Sequence, residues 1–273
     1  MILFLIASGM SLILGVMGIL NIAHGALFVL GAYIGLTLVS YVGNFWVAAL
    51  LGALAAGLAG LVLERLFLSH LYKQINEQVL LTCGIVYIIA KATLWIWGPW
   101  PKQGTVPSYL AASINIGSLG FPIYRFAIIL IGLAIAAGLW WFQEKTRAGA
   151  MIRAGMDDKQ MTMGLGINYG LISSAVFCLG TFVAGFAGFI AAPILGAEAE
   201  MGFPIFLFAM VVLIVGGVGY VQGTLLGAIL VGLVDTLGKA LFPELSMFSL
   251  YLILIIVLLV RPAGLLRGRF SEV

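Results

Sequence analysis

Long uninterrupted runs of apolar residues, separated by short polar stretches, dominate this sequence. The first acidic or basic side chain is Glu64, so residues 1–63 carry no formal charge. As a helix, that stretch would extend for about 95 Å, enough for about three crossings of a hydrocarbon core about 30 Å thick. Nine apolar runs occur along the chain, at residues 2–20, 22–40, 45–63, 79–97, 122–142, 170–192, 205–218, 224–241 and 247–260.

Continuous runs of this length favour membrane helices over a β-barrel, whose strands show about ten residues of alternating hydrophobicity. We therefore predict an all-α polytopic membrane protein with about eight or nine transmembrane or re-entrant helices. The seventh run is the reason for including re-entrant helices, because it is short. Residues 1–273 are predicted to form a single domain, and residues 98–120, with three prolines and small polar residues, are predicted to be a loop.

Composition excludes several classes of protein. Hydrophobic residues make up 63% of the chain and charged residues 8%, whereas a soluble domain has roughly 45–50% apolar and about 25% charged residues. A soluble enzyme, a nucleic-acid-binding protein and a disordered tail are therefore excluded. A single-pass anchor is excluded as well, because no hydrophilic domain remains for an anchor to hold.

Glycine is unusually frequent, at 36 of 273 residues, and small residues let membrane helices approach closely. Two glycine triplets have similar local strings, GALAAGLAG and GTFVAGFAG, about 128 residues apart. Two interpretations remain open, an inverted internal repeat and a coincidence within a glycine-rich chain. The triplets are Gly52, Gly57 and Gly60 in the first string and Gly180, Gly185 and Gly188 in the second.

Basic residues are distributed unevenly between the two predicted sides of the membrane. Residues 64–78, residues 143–169 and the C-terminus together carry nine Lys and Arg residues, and the other side carries four. Because basic loops are retained in the cytoplasm, the first side, including the C-terminus, is predicted to be cytoplasmic. The side of the N-terminus stays open. The nine residues are Arg65, Lys73, Lys145, Arg147, Arg153, Lys159, Arg261, Arg267 and Arg269.

Asn21, His24 and Gly25 are the candidates for a substrate pathway. Polar groups at membrane depth are costly and usually face a cavity or another helix. Nearby glycines could break the helix there and expose backbone groups to a solute. The alternative is a histidine that hydrogen-bonds a neighbouring helix and has only a structural role.

Other polar residues give weaker indications. Asp235 and Lys239 lie four residues apart on one helix face, which favours an ion pair over a proton relay. No metal site is predicted, since the chain has only two histidines. Ser8 and Ser11 have no supported base partner, so no catalytic residue is predicted.

Residues 144–168 form the most hydrophilic segment, EKTRAGAMIRAGMDDKQMTMGLGIN. Its apolar positions alternate with charges, as in a short amphipathic helix at the membrane interface. A plain connection between spans needs only a few residues, so we predict a docking segment for a cytoplasmic partner. A solvated loop is the alternative.

Several motifs, in order along nearly the whole chain, resemble those of permease subunits of the high-affinity branched-chain amino acid ABC importers. The family's Asn–x–Ala–His–Gly string occurs at residues 21–25, followed by Leu–Gly–Ala–Tyr at 30–33. In the hydrophilic segment the matching pairs lie at residues 146–147, 153–154 and 157–158, and Gly–Ile–Asn lies at 166–168. A Gly–Gly–x–Gly string occurs at 216–219, and the Arg–Pro–x–Gly–Leu ending occurs at 261–265.

This resemblance implies that residues 144–168 are the cytoplasmic coupling segment on which ATPase subunits dock. Within it, the charged positions that match the family motif would position the docked ATPase, and the matching glycine would allow the chain to turn sharply at the end of the helix. The chain lacks a GxxxxGK(S/T) phosphate loop, so no cofactor is predicted on it, and ATP and magnesium would bind to the partner subunits. The positioning residues are Arg147, Arg153, Asp157 and Asp158, and the exit residue is Gly166.

The resemblance further implies two cytoplasmic ATP-binding subunits, a second related permease or a second copy of this chain, an external solute-binding protein and surrounding membrane lipid. The predicted location is a bacterial-type inner membrane, and the predicted activity is uptake of branched-chain or similar small amino acids by alternating access. A permease for urea or short amides remains an alternative. An ion-coupled secondary transporter or a channel is the other class that the residues leave open.

Overall fold

The structure is a computed structural model that describes residues 1–72, 74–116, 119–241, 243–261 and 264–266. Its described residues are mostly helical, which confirms the predicted all-α polytopic class. Six helices are long and apolar enough to cross a membrane: α2, α3, α4, α5, α8 and α10. The helices are α1 Ile2–Met17, α2 His24–Val42, α3 Phe45–Leu66, α4 Ile75–Trp97, α5 Ile123–Lys145, α6 Arg147–Asp157, α7 Lys159–Gly164, α8 Tyr169–Leu195, α9 Gly202–Gly216, α10 Val221–Leu241 and α11 Ser246–Val260.

Three of the nine predicted runs form shorter helices, α1, α9 and α11, of 16, 15 and 15 residues. At about 1.5 Å per residue they extend for about 22–24 Å, less than the hydrocarbon core. Helix α1 ends earlier than its apolar run because Gly18 adopts φ +66° and donates its N–H to the carbonyl of Leu14 at 2.9 Å. The length of the apolar run therefore overestimates the length of helix α1.

Helix α8 lies at the centre of the bundle and packs against α1, α2 and α3. Close approach depends on glycine. A methyl group at Gly31 of α2 would overlap the backbone of Gly185 in α8, and one at Gly57 of α3 would lie 3.2 Å from Cβ of Phe182. The two glycine triplets therefore lie on helices that pack together in opposite directions. The inverted repeat itself stays a prediction.

Two sets of hydrogen bonds define the ends of the bundle. At the end that carries α6 and α7, called here the α6 end, Gln143 donates to the carbonyl of Gly219 at 2.7 Å, and the N–H of Leu265 donates to Val215 at 2.9 Å. At the opposite end, the hairpin end, the hydroxyl of Tyr33 and the N–H of Lys102 both donate to the carbonyl of Ala197, each at 2.9 Å. At each end, a loop is thus fixed to a neighbouring helix, and at the hairpin end two loops are also fixed to each other.

The predicted loop at residues 98–120 contains regular structure. A 3₁₀ turn at Ser108–Leu110 precedes an antiparallel hairpin of β1 Ser113–Ile116 and β2 Leu119–Pro122, with Ser113 opposite Pro122. The prediction of an irregular loop was wrong for these residues. Strands of four residues are too short to show a clear alternation of apolar and polar positions. This hairpin is stabilised by hydrogen bonds between its two strands rather than by a buried apolar face.

Basic residues are more numerous at the α6 end of the bundle than near the hairpin end. Among the described residues, six lie at or near the α6 end and four lie nearer the hairpin end. Lys73, Arg267 and Arg269 lie outside the described residues, as does Pro262 of the closing motif. The six are Arg65, Lys145, Arg147, Arg153, Lys159 and Arg261, and the four are Lys91, Lys102, Arg125 and Lys239.

Candidate functional sites

The connection between α1 and α2 is non-helical and buried within the bundle. Asn21 and His24 are almost completely inaccessible to solvent. The Nε2 atom of His24 lies 3.1 Å from the carbonyl oxygen of Ile6, so this nitrogen donates, because a carbonyl can only accept. The other ring nitrogen and both side-chain polar atoms of Asn21 have no hydrogen-bond partner within the described structure. Irregular backbone at membrane depth is tolerated only where protein or a cavity surrounds it.

Gly25 lies at the start of α2, directly against the start of α9. A methyl group at Gly25 would overlap the carbonyl oxygen of Gly202, so the two backbones touch there. The structure thus brings Asn21, His24 and Gly25 together at a junction of α1, α2 and α9. In this conformation they line neither the cavity of about 790 Å³ nor the cavity of about 640 Å³, although their neighbours Leu20 and Ile22 line the second. Their role in a substrate pathway stays a prediction.

Those neighbours line a groove between α9, α10 and α11, of about 640 Å³. Its walls are mostly apolar, and the charged groups in its lining are Asp235 and Lys239 of α10. The predicted ion pair between them is confirmed, because Nζ of Lys239 lies 2.6 Å from Oδ2 of Asp235. The second carboxylate oxygen, Oδ1, is buried and has no partner within the described residues.

Local capping divides the hydrophilic segment at residues 144–168 into two helices. The hydroxyl of Thr146 accepts the N–H of Gly149 at 3.0 Å to begin α6, and the carboxylate of Asp158 accepts the N–H of Met161 at 2.9 Å to begin α7. Asn168 caps α8 in the same way. Side chains of this kind satisfy the free N–H groups of a helix start. The single amphipathic helix suggested by the pattern is therefore two helices, because Asp158 ends one and caps the next.

The predicted coupling residues differ in their surroundings. Arg147, Asp157, Asp158 and Gly166 are exposed at the α6 end, and Gly166 has φ +80°, a conformation that favours glycine. Arg153 is instead held within the chain, where its guanidinium donates to the carbonyl of Gln143 and lies 3.7 Å from the carboxylate of Glu144. This residue therefore fixes α6 against the end of α5, and its contact with a partner stays a prediction.

An aromatic junction joins this segment to the membrane helices. The ammonium of Lys159, in α7, lies 5.1 Å from the ring centre of Tyr72 and 4.6 Å from that of Tyr169. A methyl group at Gly155 of α6 would overlap the ring of Tyr169, so α6 lies directly against this ring. The hydroxyl of Tyr169 in turn donates to the carbonyl of Val16 in α1. A movement of α6 and α7 would therefore reach α1 and α8 directly.

A buried carboxyl group, Glu64, completes this junction. Although it lies near the end of α3, its side chain is almost fully buried. It accepts hydrogen bonds from the hydroxyls of Ser174, at 2.7 Å, and Tyr72. Burial and the neighbouring Glu64 carboxyl raise the pKa of Tyr72 above its usual range. Sequence reasoning missed the role of Glu64, although a lone acid at the end of a long charge-free stretch was an available signal.

The outer surface of α7 and its exit turn is apolar. Met161 is 70% exposed and Leu165 is 76% exposed, with Met163 nearby and also exposed. Met side chains are adaptable contact groups, and exposed apolar patches mark interaction sites. This surface lies beside the exposed charges of Arg147, Asp157 and Asp158 at the same end of the bundle.

At the hairpin end, an ion pair and a cavity lie near the loops. Nζ of Lys91 lies 2.8 Å from the carboxylate of Glu200, and this ammonium lowers the pKa of Glu200. A second cavity, of about 790 Å³, lies between the α2–α3 turn and the loop that begins at Lys102. Aromatic and hydroxyl side chains line it, among them Tyr33 and Trp97.

Nine apolar helices within the described residues pack around a glycine-rich centre, and a capped amphipathic segment lies at one end. This combination defines a multi-pass helical membrane protein. The model of the family "Branched-chain amino acid transport system / permease component" matches residues 1–258. The chain belongs to this family, which confirms the resemblance found in its motifs.

Curated relatives match over nearly the full chain. The chain is 29% identical to the high-affinity branched-chain amino acid transport system permease protein BraD of Pseudomonas aeruginosa, over 96% of this chain and 90% of that protein. It is 24% identical to the corresponding protein LivH of Escherichia coli K12, with the same coverage. The ribose import permease protein RbsC of Haemophilus influenzae is 27% identical, over 85% of this chain and 72% of that protein. No significant match to a solved structure is found.

Proposed function

We propose that this chain is the membrane-spanning subunit of an ATP-binding-cassette importer that moves branched-chain amino acids into the cytoplasm. The observation that carries the proposal is the segment at residues 144–168. It exposes apolar and charged side chains at its surface and is tied to the bundle by Arg153, Lys159 and Tyr169. Such a segment can receive a force from a docked partner and pass it to the membrane helices.

The α6 end is the proposed cytoplasmic end. Six described basic residues lie there against four nearer the hairpin end, which agrees with the retention of basic loops in the cytoplasm. Residues 264–266 pack at the α6 end, so the C-terminal part of the chain would lie on the cytoplasmic side. Helix α1 runs toward this end, since Val16 meets Tyr169 there, and the N-terminus would accordingly face the external half of the membrane.

The partners follow from this arrangement. Two ATP-binding subunits would dock on residues 144–168 of two permeases, either two copies of this chain or this chain and a related one. ATP and magnesium would be held by those subunits, and a solute-binding protein would dock at the hairpin end. This division of tasks is supported by the family, whose description is that of the permease component of a larger transport system. The membrane would be a bacterial-type inner membrane.

Transport would proceed by alternating access. Closure of the ATPases on ATP would shift α6 and α7, and Lys159 between its two tyrosines would move α8 with them. Because glycine contacts hold α1, α2, α3 and α8 at close range, these helices would move as a rigid unit rather than deform. The irregular connection through Asn21 to His24 joins two helices of this unit, α1 and α2, and is the proposed place where the pathway opens.

Because the ribose import permease RbsC is similar to this chain over most of its length, the choice of solute rests on the lining of the groove. An apolar groove with one ion pair favours an amino acid with a hydrocarbon side chain over a sugar, which needs many hydrogen-bonding groups. Urea and short amides remain the alternative within the same group of importers. An ion-coupled transporter is the alternative class.

The first test is isolation of the tagged chain from its own membranes in a mild detergent, followed by native mass spectrometry. We expect two ATP-binding subunits and a second permease to accompany it. Met161→Asp combined with Leu165→Asp should remove the ATPases and leave the permease pair intact. Tyr109→Asp, which alters an exposed aromatic residue at the hairpin end, is the matched control and should retain them.

The second test is uptake of radiolabelled L-leucine by the whole complex in liposomes. Uptake should require ATP and should survive a protonophore. Uptake that persists without ATP and collapses with the proton gradient would contradict the importer proposal. Uptake of ribose or urea, but not of leucine, would retain the importer and change its solute.

A further inference from the structure

We infer that Asp235 and Lys239 bind the ammonium and carboxylate groups of an amino acid whose apolar side chain occupies the groove between α9, α10 and α11. This inference rests on the proposed function and names the binding site within it. The site is separate from the junction of Asn21, His24 and Gly25, although it begins beside it at Leu20 and Ile22.

Within the described residues, part of the hydrogen-bonding capacity of the two charged groups has no partner. Nζ of Lys239 donates one N–H to Oδ2 of Asp235 at 2.6 Å, and an ammonium has three donors. Oδ1 of Asp235 is buried and lacks a partner within the described residues. An ion pair whose only task is to neutralise two charges is expected to have its buried oxygens satisfied. This pair instead offers an acceptor that has no partner among the described residues and, a few ångströms away, the N–H groups of a Lys239 side chain that is 60% exposed, in an otherwise apolar wall.

A zwitterionic amino acid is complementary to that pattern. Its ammonium can donate to Oδ1 of Asp235, and its carboxylate can accept the remaining N–H groups of Lys239. The resulting four charges alternate in sign, so the pair need not separate for the ligand to bind. A simple cation or a simple anion would satisfy only one of the two groups and would face the other as a like charge.

The remaining lining fits a hydrocarbon side chain. Around the ion pair lie Ile22, Phe206, Met210, Leu250 and Leu254. The groove volume of about 640 Å³ is within the range of small-molecule sites. Transfer of a branched aliphatic side chain from water to such walls is favourable, whereas the hydroxyl groups of a sugar would find few partners there.

The position along the membrane also suits an incoming solute. Asp235 lies 14 residues after the start of α10 at Val221, which the side chain of Gln143 contacts at the α6 end. At 1.5 Å per residue this places Asp235 about 21 Å from that end. The ion pair thus lies in the half of the bundle nearer the hairpin end, the external half in the proposed orientation.

The test is equilibrium binding of tritiated L-leucine to the whole permease–ATPase complex in lipid nanodiscs, without the solute-binding protein. Two analogues compete: leucinamide, which lacks the carboxylate, and 4-methylpentanoate, which lacks the ammonium. For the parent protein, each should compete at least about tenfold more weakly than leucine, because each leaves one charged group unmatched. Asp235→Asn should reduce the preference for leucine over 4-methylpentanoate, and Lys239→Gln should reduce the preference for leucine over leucinamide.

Thr236→Val is the matched control, because Thr236 lies on α10 between the pair and bonds the carbonyl of Gly232 rather than lining the groove. It should leave both preferences unchanged. Preferences are ratios, so a variant that folds in lower yield still reports on the site. Unchanged preferences in both Asp235→Asn and Lys239→Gln would overturn the inference. If these variants also caused the two permease subunits to dissociate, the groove would instead be a subunit interface.

Failure of the site and failure of the proposed function are distinguishable. Absence of leucine binding by the parent would overturn the inference. ATP-driven leucine uptake by the same complex, supplied with its binding protein, would then show whether the importer proposal still holds.

Discussion

The hydroxyl of Ser174 in α8 donates a hydrogen bond of 2.7 Å to the carboxyl group of Glu64 in α3, across 110 positions of sequence. Both side chains are buried, and Tyr72 donates to the same carboxyl group. A buried carboxyl group is costly unless its oxygens are satisfied. The pair therefore fixes the α6 end of α3 against α8, next to the segment on which a partner is proposed to dock.

Ser174→Ala is expected to lower the free energy of unfolding by about 1–3 kcal/mol, because it removes a partner from a buried polar group. Thermal unfolding of the purified protein in detergent would measure the change. Ser69→Ala is the control, since the hydrogen bond from Ser69 to the carbonyl of Arg65 is exposed and its loss should change stability by less than about 0.5 kcal/mol. Equal stability of the two variants would mean that the Glu64 contact is not stabilising.

Gly9→Ala is expected to destabilise the bundle by about 1–3 kcal/mol, a cost typical of overpacking. Its new methyl group would overlap the carbonyl of Gly180, so α1 and α8 would have to separate. Gly84→Ala provides the comparison, because nothing lies within 4 Å of a methyl group there, and alanine favours a helix over glycine. The melting temperature should fall for the first variant and rise or stay constant for the second.

Arg153→Glu is expected to abolish assembly with the ATPases while the permease still inserts into the membrane. The arginine holds α6 to the carbonyl of Gln143, and a carboxylate would be repelled by the nearby Glu144. Co-purification of the ATPase subunits is the measurement. Arg125→Glu reverses a charge near the hairpin end and should retain them. ATPase subunits that remain bound to Arg153→Glu would contradict the coupling role.

Lys159→Gln is expected to uncouple ATP hydrolysis from transport without preventing assembly. The change removes the cation from between the rings of Tyr72 and Tyr169, contacts worth about 0.5–2 kcal/mol each. Stimulation of ATPase activity by the loaded binding protein should fall severalfold, and leucine uptake should fall with it. Lys145→Gln, at an exposed basic residue at the end of α5, should retain both the stimulated ATPase activity and leucine uptake. A full response in Lys159→Gln would show that this junction does not transmit movement.

Alkaline pH is expected to weaken the aromatic junction of Lys159, Tyr72 and Tyr169, because Tyr72 loses its proton. Its pKa is raised by burial and by Glu64, so the folded protein holds this proton more tightly than the unfolded chain does. The corresponding stabilisation is fully present below the unfolded pKa of about 10 and is lost as pH rises toward the folded pKa. Melting temperatures between pH 8 and pH 11 should show Tyr72→Phe less stable than the parent at the lower pH, with the difference narrowing above pH 10. A constant difference would contradict this linkage.

Local sequence determined much of this protein. Uninterrupted apolar runs predicted the membrane helices because the bilayer requires every backbone group to be satisfied within a helix. Spacing of four residues predicted the pair of Asp235 and Lys239, since such residues share one helix face. Thr146, Asp158 and Asn168 determined where α6, α7 and α8 begin, because a cap needs only its own first turn. Ordered motifs along the chain indicated the family.

Tertiary structure decided the features that depend on distant parts of the chain. Packing of α3 on α8 buried Glu64, which hydropathy alone placed in a polar stretch. Packing of α7 beside α8 put Lys159 between two tyrosines. Packing of α9 and α11 around α10 buried Oδ1 of Asp235 where the described part of the chain offers it no partner. Periodicity shows only which residues share a helix face. Which residues cover that face depends on how the helices cross, and the crossings depend on glycines that lie far apart in sequence. These contacts are therefore defined only once the helices have packed.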